Sequence, residues 1–393
     1  MHQIKNIKIC GIVAEYNPFH KGHLYQLKMS KKLTGSEGVV IVMSGDFVQR
    51  GAPAICSKYQ RAKMALLSGA DVVIELPALY ALSSAEDFAG GSVGILNATG
   101  VVDTLSFGSE CGDTDHLMDI AKKVCESGDT LSEKIRSGIR TGLSYASSLS
   151  SVFVNNPQDS GLLKSPNNIL GIEYCKAIIR SGSSMVPFTI KRNGQDHNSS
   201  DIDPSKKYAS ASAIRGSILE GKNEHSSFIP GYVETLLNET PKAQTSTFND
   251  IMYYSLLKNT ATGYTDYLGV NFELSSKIIK DIDKYKDIDS FINLLKSKNM
   301  TYTGISRCLF HIMLGIKKED VQTSPRYIRI LGFKKDSSDI LHMMKEQSSL
   351  PIITKLADSK QDPMLSKDIF CSRLYDRLTG NDFDEYRSYP VII

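Results

Sequence analysis

The first 110 residues carry apolar, β-branched runs at 7–13, 39–43, 72–76 and 101–107, with helical patterns at 24–33, 58–68 and 85–98 between them. The runs are apolar at nearly every position rather than at every second one. Such strands are buried on both faces, and with helices between them they form a parallel sheet covered on both sides. The order βαβαβαβ predicts a doubly wound α/β domain of the Rossmann-like kind, whose ligands sit at the carboxyl ends of the strands. Residues 111–220 read as more helical, with one late strand at 185–192. A stretch rich in Gly, Ser, Asn and Asp follows at 193–205 and reads as a lid-like loop. Beyond about 225, amphipathic helical patterns at 233–237, 251–258, 276–282, 292–295 and 307–314 predict a mostly helical second domain. The chain is thus expected to divide into 1–225 and 226–393.

Composition narrows the function classes. A hydrophobic fraction of 41% and a charged fraction of 23% over 393 residues describe a globular chain with real cores, not a disordered one. No apolar run approaches the ~18–20 residues of a membrane helix, and the N-terminus shows no signal-peptide pattern. The seven cysteines are scattered and never spaced as CxxC, which argues against a disulfide framework or structural zinc and for a reducing cytoplasm. With 46 basic and 43 acidic residues the net charge is only +3, so any RNA-binding surface must be built from local residues.

The sharpest local signal is Glu15-Tyr16-Asn17-Pro18-Phe19-His20-Lys21-Gly22-His23, where the first strand ends and the first helix begins. In a doubly wound sheet that junction is a phosphate site, because free N–H groups and the helix dipole point at it. His20 and His23 can donate to phosphoryl oxygens as charge builds, and Gly22 would let a nucleotide approach the backbone. Two alternatives stand beside this reading: histidines at a helix start can be caps, and a pair at i, i+3 can hold a metal. A later helix start lies at Ser210-Ala211-Ser212-Ala213-Ile214-Arg215. There, hydroxyls and N–H groups at a helix start would hold phosphates and Arg215 would add a forked charge, although the pattern alone also describes a capped helix.

Together these motifs resemble the HxGH nucleotidyltransferase superfamily. Longer blocks are similar to the bacterial tRNA(Met) cytidine acetate ligase family. They are Glu15 to Gln26, Met43-Ser44-Gly45-Asp46-Phe47-Val48-Gln49-Arg50-Gly51-Ala52-Pro53-Ala54, Lys58-Tyr59-Gln60-Arg61-Ala62, Phe107-Gly108-Ser109-Glu110, Ser165-Pro166-Asn167-Asn168-Ile169-Leu170-Gly171, Ile190-Lys191-Arg192 and Arg329-Ile330-Leu331-Gly332-Phe333. The resemblance implies an enzyme that converts acetate and ATP, accompanied by Mg²⁺, to acetyl-adenylate and pyrophosphate. The acetyl group would then pass to N4 of the wobble cytidine in elongator tRNA(Met). It further implies an ATP site lined by Ile12, Val13, Ala14, Glu15, Tyr16, Asn17, Pro18, Phe19, His20, Lys21, Gly22, His23, Leu24 and Tyr25, with Gly108, Asn168 and Arg192 adding contacts. Catalytic roles would fall to His20, Lys21, His23, Ser210, Ser212 and Arg215. Cap, surface-charge and turn readings stay open for Asn168, Arg192 and Gly108. The pattern at 194–198 aligns with nothing, and His197 receives no role.

Arg50, Lys58 and Arg61 follow the second strand, and Arg307, Arg326, Arg329, Lys334 and Lys335 interleave with Phe310, Tyr327 and Phe333. Cations among aromatics suit a single-stranded RNA loop, and an amphipathic helix with a charged outer face is the competing reading. Glu75, at the end of the third strand, reads equally as structural or catalytic. No residue stands out as a base for the cytidine amine, and nothing calls for a membrane or an obligate protein partner. A small-molecule nucleotidyltransferase and a non-catalytic nucleotide- or RNA-binding protein are the rival readings.

Overall fold

The computed structural model describes residues 7–126, 165–192, 201–297, 300–322, 324–359, 361–382 and 384–393, together with 133, 137, 148–150 and 157–163. The chain runs β1 (Ile9–Ala14), α1 (Lys21–Thr34), β2 (Gly38–Ser44), a hairpin of β3 (Phe47–Val48) and β4 (Ala52–Pro53), α2 (Lys58–Leu67), β5 (Val72–Leu76) and α3 (Ala78–Ala81). Next come α4 (Ala85–Ala98), β6 (Thr104–Ser109), α5 (Thr114–Glu126), α6 (Pro157–Leu162), α7 (Pro166–Ser181), β7 (Val186–Lys191), α8 (Ala211–Leu219) and α9 (Gly231–Asn238). The remainder is α10 (Asn249–Lys258), α11 (Phe272–Asp281), α12 (Ile288–Leu295), α13 (Tyr302–Leu314), β8 (Ile328–Phe333), α14 (Ser338–Gln347), β9 (Ile352–Ile353), α15 (Pro363–Thr379) and β10 (Val391–Ile392).

One eight-stranded sheet organises the molecule in the order β10-β8-β5-β2-β1-β6-β7, with β9 beside β8. Strands β5, β2, β1, β6 and β7 are mutually parallel, as the doubly apolar runs predict. Alternate residues feed two cores. Val40, Val42, Ile74 and Leu105 face α4, α5 and α7, whereas Ile12, Ile41, Met43 and Val73 face α1, α2 and α9. The chain steps outward from β1 to β2 and β5, then returns to the other side of β1 for β6. That reversal opens a crevice above the carboxyl ends of β1 and β6.

The C-terminal region is mostly helical, and it also gives strands to this sheet. β8 lies antiparallel on β5, with Arg329 opposite Glu75. The first core continues without a break into α10–α13, through Phe248, Phe291, Leu309 and Phe310. The hairpin tip makes a second join. Gly51 adopts φ +74°, and a Cβ there would lie 2.5 Å from the backbone nitrogen of Arg307 on α13. The Ser306 hydroxyl donates to the Gly51 carbonyl at 2.6 Å.

Candidate active site

β1 ends in a turn in which Tyr16, fully buried, takes φ +47°, a conformation costly for a bulky residue and held here by its surroundings. The turn is pinned from both sides. The Arg61 guanidinium donates to the carbonyls of Glu15 (2.7 Å), Ser44 (3.1 Å) and Gly45, and through Nε to Cys56. The Asn17 amide oxygen accepts from the N–H of Ile55 at 2.8 Å.

The two histidines cap α1 with each other's rings. His20 Nδ1 accepts from the N–H of Gly22 (3.0 Å) and His23 (3.3 Å), while His23 Nδ1 accepts from the N–H of His20 (3.3 Å). This is a capping box in which imidazoles replace the usual Ser and Glu, and it explains the i, i+3 spacing. The rings stack at 3.6 Å, and His23 is further packed by Tyr16 and Phe19. Because each Nδ1 accepts, a neutral ring carries its proton on Nε2, where it is a donor. The structure shows the cap, and the tautomer that the cap selects is the one the donor reading needs. Gly22 is explained differently from expectation: a Cβ there would lie 2.8 Å from His20 Cε1, so its first duty is to leave room for that ring.

These elements form a cleft of about 540 Å³, within the size range of nucleotide-sized ligand sites. Val13, Ala14, Glu15, Tyr16, Asn17 and His23 form its floor. Phe107 and Gly108 from β6 and Arg192 from the end of β7 line one side. Ser212 and Arg215 of α8 come from another side and Arg50 from the hairpin tip. Arg215 donates to the Asn17 carbonyl (2.6 Å) and to Ser212 Oγ (3.2 Å), which ties the second phosphate-binding pattern to the first. Burial lowers the Arg215 pKa to about 10, with Glu15 opposing and Arg50 reinforcing the shift. The guanidinium is still a cation at neutral pH.

Several expected residues sit elsewhere. Ser210 caps α8, its hydroxyl accepting from the N–H of Ala213 at 3.0 Å, while Ser212 faces the cleft. The Lys21 amine donates to the Ser227 carbonyl at 2.7 Å and lies outside the cleft wall. Asn168 is a buried cross-link: its oxygen accepts from the N–H of Glu110 and Cys111, and its nitrogen donates to Leu162. Its neighbour Asn167 reaches the wall instead. Tyr25 stacks near Tyr208, with Lys207 over both rings. Leu24 packs against the second core. His197, and residues 193–200 of the expected lid, lie outside the described residues.

Three of the expected RNA contacts are corrected. Lys58, Arg61 and Arg329 are buried and engaged inside the protein, where no RNA phosphate reaches them. Lys58 pairs with Glu75 (2.8 Å) and Glu385 (2.9 Å), and Arg329 pairs with the same two carboxylates. Glu75 is accordingly a structural acid. Asp46 joins the cluster by accepting from the Lys58 N–H (2.7 Å) and from Ser372 (2.8 Å). Arg307 is half-buried with its guanidinium 3.4 Å from the Gln49 carbonyl, and Arg326 pairs with Asp362 at 2.6 Å. Arg326 precedes β8 while Lys334 and Lys335 follow it, so a six-residue strand, roughly 20 Å long, separates them. They are not one patch.

The wall also contains residues that the motifs do not announce. Gln26 closes the block that begins at Glu15 and sits one helical turn beyond His23 on a common helix face. Asn167 falls in the family-like block at 165–171, Tyr302 and Thr303 open a helical stretch, and Gln244, Thr245, Ser246 and Asp289 carry no local signal at all. Among the described residues, no group of three or more His, Cys, Asp or Glu is arranged to hold a metal ion. No helix among them is long and apolar enough to cross a membrane.

With that geometry in place, comparison with known proteins is specific. A family model described as HIGH Nucleotidyl Transferase matches residues 7–388. A tRNA(Met) cytidine acetate ligase of Clostridium perfringens (strain ATCC 13124) is 39% identical over 386 residues, which are 95% of this chain and 96% of the relative. One from Thermoanaerobacter sp. (strain X514) is 38% identical over 382 residues, covering 93% and 94%. Among solved structures, Thermotoga maritima TmcAL in its apo form superposes with a TM-score of 0.91 at 29% identity, covering 98% of this chain and 100% of that one. The same protein bound with alpha-thio ATP gives 0.88.

Proposed function

The chain belongs to the HIGH nucleotidyl transferase family, and from that premise we propose that it is an ATP-dependent ligase forming N4-acetylcytidine. It would activate acetate as acetyl-adenylate and acetylate N4 of the wobble cytidine of elongator tRNA(Met), the reaction class that its relatives' names denote. The observation that carries this reading is the cleft at the β1–β6 crevice, where Arg215 bridges Asn17 and Ser212 and so joins both phosphate-binding motifs in one wall.

In this reading acetate attacks the α-phosphorus, and His23, stacked on His20, donates to the phosphoryl oxygens as negative charge grows. Arg215, Ser212 and the start of α8 hold the departing pyrophosphate. Ser210 contributes by fixing that helix start, and Lys21 by anchoring α1 to the 224–228 turn. Catalysis is positioning and charge stabilisation, with no covalent enzyme intermediate. Mg²⁺ would arrive with the nucleotide, coordinated mainly by phosphate oxygens and water. Residues 1–225 would hold the chemistry and 226–393 would receive the tRNA, with Arg50, Arg307, Arg326, Lys334 and Lys335 the remaining candidates for phosphate contacts. A cytoplasmic location follows from such a substrate.

The test is labelled-acetate incorporation with ATP, comparing elongator tRNA(Met), other tRNAs and no RNA. Label in cytidine of tRNA(Met) alone is the expected result. Acetate-dependent pyrophosphate release with no RNA labelled under any condition would overturn the acceptor and favour a small-molecule nucleotidyltransferase.

A further inference from the structure

The cleft has two chemically different halves. Among the described residues, its cations are Arg50, Arg192 and Arg215, all from the first 225 residues, which carry the phosphate-site motifs. The facing wall, from the C-terminal region, presents Gln244, Thr245, Ser246, Tyr302, Thr303 and one carboxylate, Asp289, with no Lys or Arg. A wall of this kind repels a triphosphate and suits a neutral group rich in hydrogen-bond donors and acceptors, such as a nucleobase.

Asp289 is built into that wall. It lies in the first turn of α12, whose Ile288, Phe291, Ile292 and Leu295 are buried in the core. The Tyr302 hydroxyl, from the first turn of α13, donates to Asp289 Oδ1. Burial and the Asp289 charge together push the Tyr302 phenol well above its ordinary range, so it remains a donor. The other cleft carboxylate, Glu15, accepts from the Gln49 N–H at 2.7 Å and lies on the cationic side.

Resting on the ligase reading, we propose that Asp289, oriented by Tyr302, receives the exocyclic amine of the acceptor cytosine and takes its proton during acetyl transfer. N4 attacks the acetyl carbonyl carbon and forms the C–N bond. The bond from that carbon to the AMP phosphate oxygen breaks, AMP leaves with the electron pair, and the N4 proton passes to the Asp289 carboxylate. An amine conjugated with a pyrimidine ring is a weak nucleophile, and a carboxylate accepting its N–H both aims it and removes the proton. Tyr302 is a positioning residue.

The test separates the half-reactions in the full-length enzyme. Acetate-dependent ATP–pyrophosphate exchange reads adenylation, and transfer from preformed acetyl-adenylate to elongator tRNA(Met) reads the second step. Asp289→Asn should lower the ratio of transfer to exchange roughly a hundred-fold, within the usual range for a general base. The loss should sit in kcat for transfer, Asp289→Glu should restore part of it, and Tyr302→Phe should give a smaller fall. An unchanged ratio in Asp289→Asn, or parallel loss of exchange, transfer and thermal stability, overturns the assignment. Wild-type enzyme that exchanges but labels no tRNA overturns the ligase reading itself, and the assignment with it.

Discussion

His20 and His23 show why a motif can be read correctly for its place and incompletely for its physics. Their rings cap α1 and His23 also lines the cleft, so the proposed donor role would share its side chains with a helix cap. The functions are separable, because Asn caps helices well but cannot replace an imidazole donor. His20→Ala should cost about 1 kcal/mol of stability through the lost cap, and it should also lower acetate-dependent exchange ~10²–10³-fold. His20→Asn should recover the melting temperature and leave exchange depressed. Recovery of exchange by Asn would reduce the motif to capping. Asn167 and Asn168 teach a related lesson. Sequence pointed to a polar residue at the start of α7, and both amides bind Glu110 just after β6, but the helical rotation of about 100° per residue leaves Asn167 in the cleft lining and turns Asn168 inward.

At the scale of elements, the β3–β4 hairpin matters most, since it carries Arg50 to the cleft and rests directly on α13. Gly51 fits there for two reasons, its positive φ and a backbone neighbour that cannot move aside. Gly182, which ends α7 at φ +61° with nothing within 4 Å of a would-be Cβ, has only the first reason. Gly182→Ala should cost about 1–2 kcal/mol in denaturant unfolding. Gly51→Ala should cost clearly more, and it alone should raise KM for ATP as the tip and Arg50 shift. Equal costs would mean that the hairpin–helix contact yields freely. Strand β8 illustrates a different limit. Its partner β5 lies some 250 residues earlier, and the charge of Arg329 masks a strand that is otherwise apolar.

For the molecule as a whole, the buried cluster of Lys58, Glu75, Arg329 and Glu385 ties the C-terminal tail to the sheet. Burial favours a protonated Glu385, but Lys58 and Arg329 outweigh it and hold the carboxyl below its ordinary value of 4.5. A depressed acid stabilises the fold above its unfolded pKa and loses that contribution as pH falls through the folded one. Asp376 has the opposite sign: burial, with Asp46 and Glu385 nearby, raises it to about 7, so its contribution declines as pH rises from the ordinary carboxylate range through 7. Urea midpoints measured from acid to pH 8 should therefore fall at both ends. Asp376→Asn should flatten the alkaline decline. Glu385→Gln should flatten the acid one and cost about 3–5 kcal/mol at neutral pH. An alkaline decline unchanged in Asp376→Asn would place its origin in other groups. The sequence by itself determined the parallel core strands, their helices and the position of the junction between β1 and α1, because hydrophobic period and helix-start chemistry are local. Only the tertiary structure decided that Lys58, Arg61 and Arg329 are internal, that β8 joins the sheet, and that Asp289 lines the same cleft as Arg215. Burial and pairing depend on contacts between segments hundreds of residues apart, and a charged side chain reads the same in sequence whether it meets water or a buried carboxylate.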